Sequence, residues 1–118
     1  MNSNDSASFV NVMEKTKEML IDVLSNHQNA YYKQEIIIDN DECFRTILQW
    51  EKCIGELMIE KADYSPYRYV SLNILATDRD KIETVFYWCD SNNDTLEKIG
   101  ASIKTGLDMA FNYSVSDQ

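Results

Sequence analysis

His27 is the only histidine in a chain of 118 residues. A two-histidine metal site is therefore excluded, and a Ser-His-Asp triad or a proton relay can be built only on this one residue. It sits in Ser25-Asn26-His27-Gln28-Asn29, where poor helix formers weaken the end of the first helical segment. A solvated imidazole near a helix C-terminus, where positive charge is mildly favourable, is the expected role. Cys43, Cys53 and Cys89 are odd in number, form no C-x-x-C pair and lie among apolar neighbours. They read as small hydrophobes rather than as nucleophiles.

Other chemistries fail on spacing. Asp39 and Asp41, and Asp90, Asn92 and Asp94, have the look of calcium-loop ligands, but neither run has glycine at loop position 6 or glutamate at position 12. Gly55, Gly100 and Gly106 stand alone, so the chain has neither G-x-x-x-x-G-K nor G-x-G-x-x-G to cradle a phosphate. With 20 Asp and Glu, carboxylate pairs are unavoidable. General acid–base work needs two of them held about 5 to 9.5 Å apart, and no acid here shares a segment with a nucleophile and an oxyanion donor. A non-enzyme with no cofactor and no metal is expected.

Two features remain for binding. Lys and Arg number 11 against 20 acids, a net charge of −9, which repels nucleic acid and anionic membrane surfaces and attracts a basic protein. Seven tyrosines are many for this length; Tyr64, Tyr67 and Tyr69 fall in or beside the loop that holds the only proline, next to Asp63. Tyrosine offers a large contact area with a polar tip, which suits a protein interface. The candidate partner-binding residues are Asp39, Asp41, Glu42, Asp63, Tyr64, Tyr67 and Tyr69. Trp50, Phe86, Trp88 and Met58 offer an alternative, an apolar small-ligand pocket between sheet and helices.

These residues need elements to hold them. Phe9, Val12, Met13, Leu20, Val23 and Leu24 recur with helical spacing, which predicts a first helix over residues 8–29, capped by Ser6 or Ser8. Ile36, Ile37 and Ile38 before Asp39-Asn40-Asp41 predict a short strand over 34–38. Residues 42–53 satisfy two patterns. Cys43, Ile47, Trp50 and Ile54 recur as on a helix, with Asp39 and Glu42 at capping-box spacing; Phe44, Leu48 and Trp50 share a period-2 face, and the balance favours strand.

Residues 56–60 and 68–75 flank the Pro66 loop as a hairpin, and 83–89 form a further strand, with a helix from Thr77 as the alternative. Asp94-x-x-Glu97 and the stripe Leu96, Ile99, Ile103, Leu107 and Ala110 predict a last helix reaching about Asn112. The resulting fold is α+β: an antiparallel meander of four to five strands with the N-terminal and C-terminal helices packed on one face, in a single domain over 1–118 whose residues 1–7 and 114–118 fray. MNSNDSASF has no secretory n-region or h-region, and no apolar run reaches the length of a membrane span. A cytoplasmic setting follows, with a basic protein as partner and a homodimer left open. The expected function is that of an immunity protein, an antitoxin-like or phage-encoded inhibitor, or a secretion chaperone.

Overall fold

In a computed structural model of the chain, which describes residues 8–61, 69–91 and 93–115, seven elements follow in order. They are α1 (Phe9–Asn26), β1 (Lys33–Asp39), β2 (Cys43–Gln49), β3 (Cys53–Glu60), β4 (Val70–Ala76), β5 (Glu83–Cys89) and α2 (Leu96–Val115). Ser8 caps α1: its backbone is extended, and its hydroxyl accepts the Asn11 N–H at 3.1 Å. The helix stops at Asn26, short of the expected residue 29. His27 donates its N–H back to Leu24 at 3.1 Å, and the run of Ser, Asn and Gln has no apolar side chain to hold a further turn.

Neighbouring strands pair antiparallel in the order β1-β2-β3-β4-β5. The two-way segment 42–53 resolves as strand, tight turn and strand. Trp50 donates its N–H to the Cys53 carbonyl at 2.8 Å, and β3 begins at Cys53 rather than at residue 56. Asn40 closes the turn into β2: its side-chain oxygen accepts the Glu42 and Cys43 N–H groups at 2.8 and 2.9 Å, and its own N–H donates to the Cys43 carbonyl at 2.9 Å, the bond of a hairpin rather than of a helix start. The capping-box expectation at the last helix is also corrected. Thr95 is the cap, accepting the Lys98 N–H at 3.1 Å, while Asp94 accepts the Ser91 N–H at 2.8 Å and closes the preceding turn.

One face of the sheet is apolar and covered. Phe44 and Leu48 of β2, Cys53, Leu57 and Ile59 of β3, and Val70, Leu72 and Ile74 of β4 are buried at every second position. Val12, Leu20 and Val23 from α1 join Ile99, Ile103 and Leu107 from α2 in the same cluster. The helices run side by side in the same direction: the Gly100 Cα faces Lys15 and Met19, and farther along His27 meets Phe111. Gly106 lets α2 settle onto β5, because a Cβ there would lie 2.5 Å from the Phe86 ring. The opposite face carries Arg45, Ile47, Ile54, Glu56, Met58 and Asn73, all half-buried, with no helix over it among the described residues. No described helix is long and apolar enough to cross a membrane.

Candidate functional site

A five-stranded meander sorts its connections by end. The β1–β2 turn, the β3–β4 connection and the exit from β5 all fall at one end of the sheet. That end therefore collects acids that are far apart in sequence: Asp39 from the end of β1, Asp41 and Glu42 from the turn after it, Glu60 from the end of β3, Asp94 from the approach to α2 and Glu97 from its first turn. Asp39 is bound by Lys17 at 2.7 Å, whereas Asp41 and Glu42 are exposed and have no ion-pair partner among the described residues. At the other end, Asp78-Arg79-Asp80-Lys81 alternates in sign, with Arg79 lying between Asp78 and Glu83.

Asp90 behaves differently from the acids around it. It is 1% exposed, and one carboxylate oxygen accepts the N–H groups of Tyr69 and Val70 at 2.8 and 2.9 Å, which ties the exit of β5 to the entry of β4. Tyr69 is half-buried there, with its ring edge-on to Phe9 at 5.1 Å. Of the expected partner-binding set, Asp39, Asp41, Glu42 and Tyr69 thus stand at this end. Asp63, Tyr64 and Tyr67 lie outside the described residues.

The four side chains expected to line a ligand pocket do not share one. Trp50 is 2% exposed and packs edge-on against Phe111 at 5.5 Å, inside the core. Met58 lies on the helix-free face, because strand alternation points it away from its buried neighbours Leu57 and Ile59. Phe86 and Trp88 line a shallow groove of about 220 Å³ beside Ala101, Ser102 and Thr105 of α2. A groove of about 470 Å³ lies farther along the same flank, with Ala76, Val85 and Met109 as its apolar walls and Arg79 and Tyr113 as polar ones.

His27 is held between the two helices. Its Nε2 lies 3.1 Å from Asp108 Oδ1, its ring stacks on Phe111, and Lys104 holds the other Asp108 oxygen at 2.7 Å. The expectation of a solvated imidazole is corrected: the side chain is 28% exposed and wedged between the two helices. Sequence could not show this, since His27 and Asp108 are 81 residues apart. Burial pushes the thiols of Cys43 and Cys53 up from their ordinary value, so both stay protonated at neutral pH and are poor nucleophiles.

No family model, curated protein or solved structure matches the chain. Its own surfaces carry the functional reading. Among the described residues no group of three or more His, Cys, Asp or Glu side chains converges to hold a metal ion.

Proposed function

We propose that this chain is an acidic, non-catalytic binding protein that captures a basic protein partner, as an immunity-like or antitoxin-like inhibitor or a secretion-chaperone-like factor. The observation that carries this reading is the acidic end of the sheet, where Asp41 and Glu42 are exposed in the turn before Cys43, the residue that pairs with Glu60, and Asp94 and Glu97 stand at the same end on the far side of the sheet. Unpaired surface carboxylates add little to the stability of the fold itself. Gathered at one end, they make the local potential more negative and speed the encounter with a cationic surface. The free thiols of Cys43, Cys53 and Cys89 suit a reducing, cytoplasmic setting.

The test is a comparison between the wild-type chain and Asp41→Lys/Glu42→Lys in capturing proteins from the cells that make it. Both positions are exposed turn sites whose side chains make no hydrogen bond or ion pair among the described residues, and the turn bond of Glu42 comes from its backbone N–H, so the fold should survive the change. Loss of a basic partner from the variant supports the reading. Equal recovery by both forms overturns it.

Small-ligand binding, the alternative, is supported by the 470 Å³ groove between β5 and α2. A compound that raises the melting temperature of the wild-type chain but not of Met109→Asp would favour it.

A further inference from the structure

β1 is the first strand of the sheet, and among the described residues its outer edge borders no other strand. Along Lys33–Asp39 only Ile38 is even partly buried. Ile36 and Ile37 are 53% and 44% exposed. On the neighbouring flank of α1, Ile21 stands 65% exposed one turn beyond Lys17, the residue that reaches across to Asp39 at the end of β1. Exposed apolar side chains along an open strand edge mark a place where another strand adds.

The backbone shows which residues would pair. The Glu35 carbonyl faces β2, where the Thr46 hydroxyl donates to it at 2.9 Å. Amide groups alternate along a strand, so Lys33 and Glu35 turn theirs inward, and Gln34 and Ile36 turn theirs to the outer edge. The register shift in β1 comes only after Ile36, which leaves 33–36 regular. Lys33 and Glu35 lie on the helix-free face, opposite Gln49 and Ile47 of β2. Neither has an ion-pair partner among the described residues.

The geometry points to a second copy of this chain as the occupant: two β1 strands pair antiparallel about a two-fold axis at Gln34, joining two sheets into one. In this register Lys33 of each copy faces Glu35 of the other, twice, on the same face and at a non-hydrogen-bonded pair, where side chains approach most closely. Ile36 of each copy then lies beside Tyr32 of the other. Both adjacent registers are opposed by charge. A shift one way sets Glu35 against Glu35, and a shift the other way sets Lys33 against Lys33, each destabilising when directly opposite. A further shift brings the irregular stretch at Ile37 into the pairing. The short sequence Lys33-Gln34-Glu35 is thus self-complementary in one register only, and the contact is isologous and closes at two copies. The acidic end lies beyond β1, at the Asn40 turn, so it stays open for a different partner in each copy.

The test is sedimentation velocity on the full chain over a range of concentrations. The wild type is expected to sediment as two chains at high concentration. Lys33→Glu alone and Glu35→Lys alone should each shift it to one chain, and the double variant Lys33→Glu/Glu35→Lys should restore the pair, with far-UV circular dichroism showing that all four fold. In parallel, Gln34→Cys should form a cross-linked dimer on mild oxidation while the wild type does not, because only this register brings residue 34 against itself. A wild type that remains one chain at its solubility limit, single variants that leave the pair intact, or a folded double variant that stays single would overturn the proposal.

Discussion

The imidazole of His27 lies flat on the ring of Phe111, with centroids 4.0 Å apart and planes 7° apart, and so joins the end of α1 to the last turns of α2. Tyr32 and Trp50 meet the same Phe111 ring edge-on at 5.6 and 5.5 Å, so one side chain gathers contacts from both helices, the entry to β1 and the β2–β3 turn. Phe111→Ala should destabilise the fold by about 3–5 kcal/mol, as for other buried aromatic truncations. His27→Ala, at the half-exposed rim, should cost about 1 kcal/mol for its stacking. Urea unfolding of the two variants checks the order, and a His27 variant as damaging as the Phe111 one would contradict it.

Asp108 gives this junction a pH dependence. Burial alone would raise its carboxyl, but hydrogen bonds from Lys104 and His27 outweigh that and hold it below the ordinary range. The unfolded chain therefore takes up the proton more readily than the folded one. The contribution to stability is complete above the ordinary carboxylate value of about pH 4 and is lost as pH falls through the lower folded value. Asp108→Asn removes it, so unfolding free energy measured from about pH 5 downward should fall less steeply in the variant than in the wild type. Parallel curves would contradict the assignment.

Two glycines of α2 should respond to alanine with opposite signs. At Gly106 the new methyl would meet the Phe86 ring at 2.5 Å and Leu72 at 2.7 Å, a clash with packed side chains that should cost about 1–3 kcal/mol. That exceeds the gain of about 1 kcal/mol from the better helix former. At Gly100 the nearest atoms are the far ends of Lys15 and Met19, at 2.9 and 3.3 Å, which can swing aside. Gly100→Ala should therefore stabilise by up to about 1 kcal/mol, a difference visible in thermal melts.

Thr16 is fully buried in α1, and its hydroxyl has no hydrogen-bond partner among the described residues. Thr16→Val keeps the shape and removes the stranded polar group, so it should raise stability by about 1 kcal/mol. A loss of stability in urea titrations would show that the hydroxyl is engaged.

The meander and its two flanking helices were legible because alternation is strong where one face is buried. Val70, Leu72 and Ile74 against Ser71 and Asn73 left no second reading. Residues 42–53 read two ways for a physical reason: Ile47 and Ile54 place apolar side chains on the helix-free face, which adds a false helical spacing to the true period-2 set of Phe44, Thr46 and Leu48. Asp39-Asn40-Asp41 was legible as a turn, with Asn40 making its bonds, whereas Thr95 was missed as a cap because Asp94, one residue earlier, carries the same chemistry at a plausible spacing. The acids were visible as composition, but their gathering at one end follows from strand order, which no local pattern displays. The same holds for His27 on Phe111 and for Trp50, whose place in the core depends on contacts distant in sequence.

The central claim is that the acidic end of the sheet recognises a basic protein. The most direct measurement is affinity capture by the wild-type chain from its own cells, with identification of the bound proteins and a repeat wash at about 0.5 M salt in place of about 0.05 M, where screening shortens the reach of surface charges several-fold. The account predicts one dominant partner of net positive charge, retained at low salt and released at high salt. Recovery of only neutral or acidic partners, or of a partner whose retention is indifferent to salt, would contradict it.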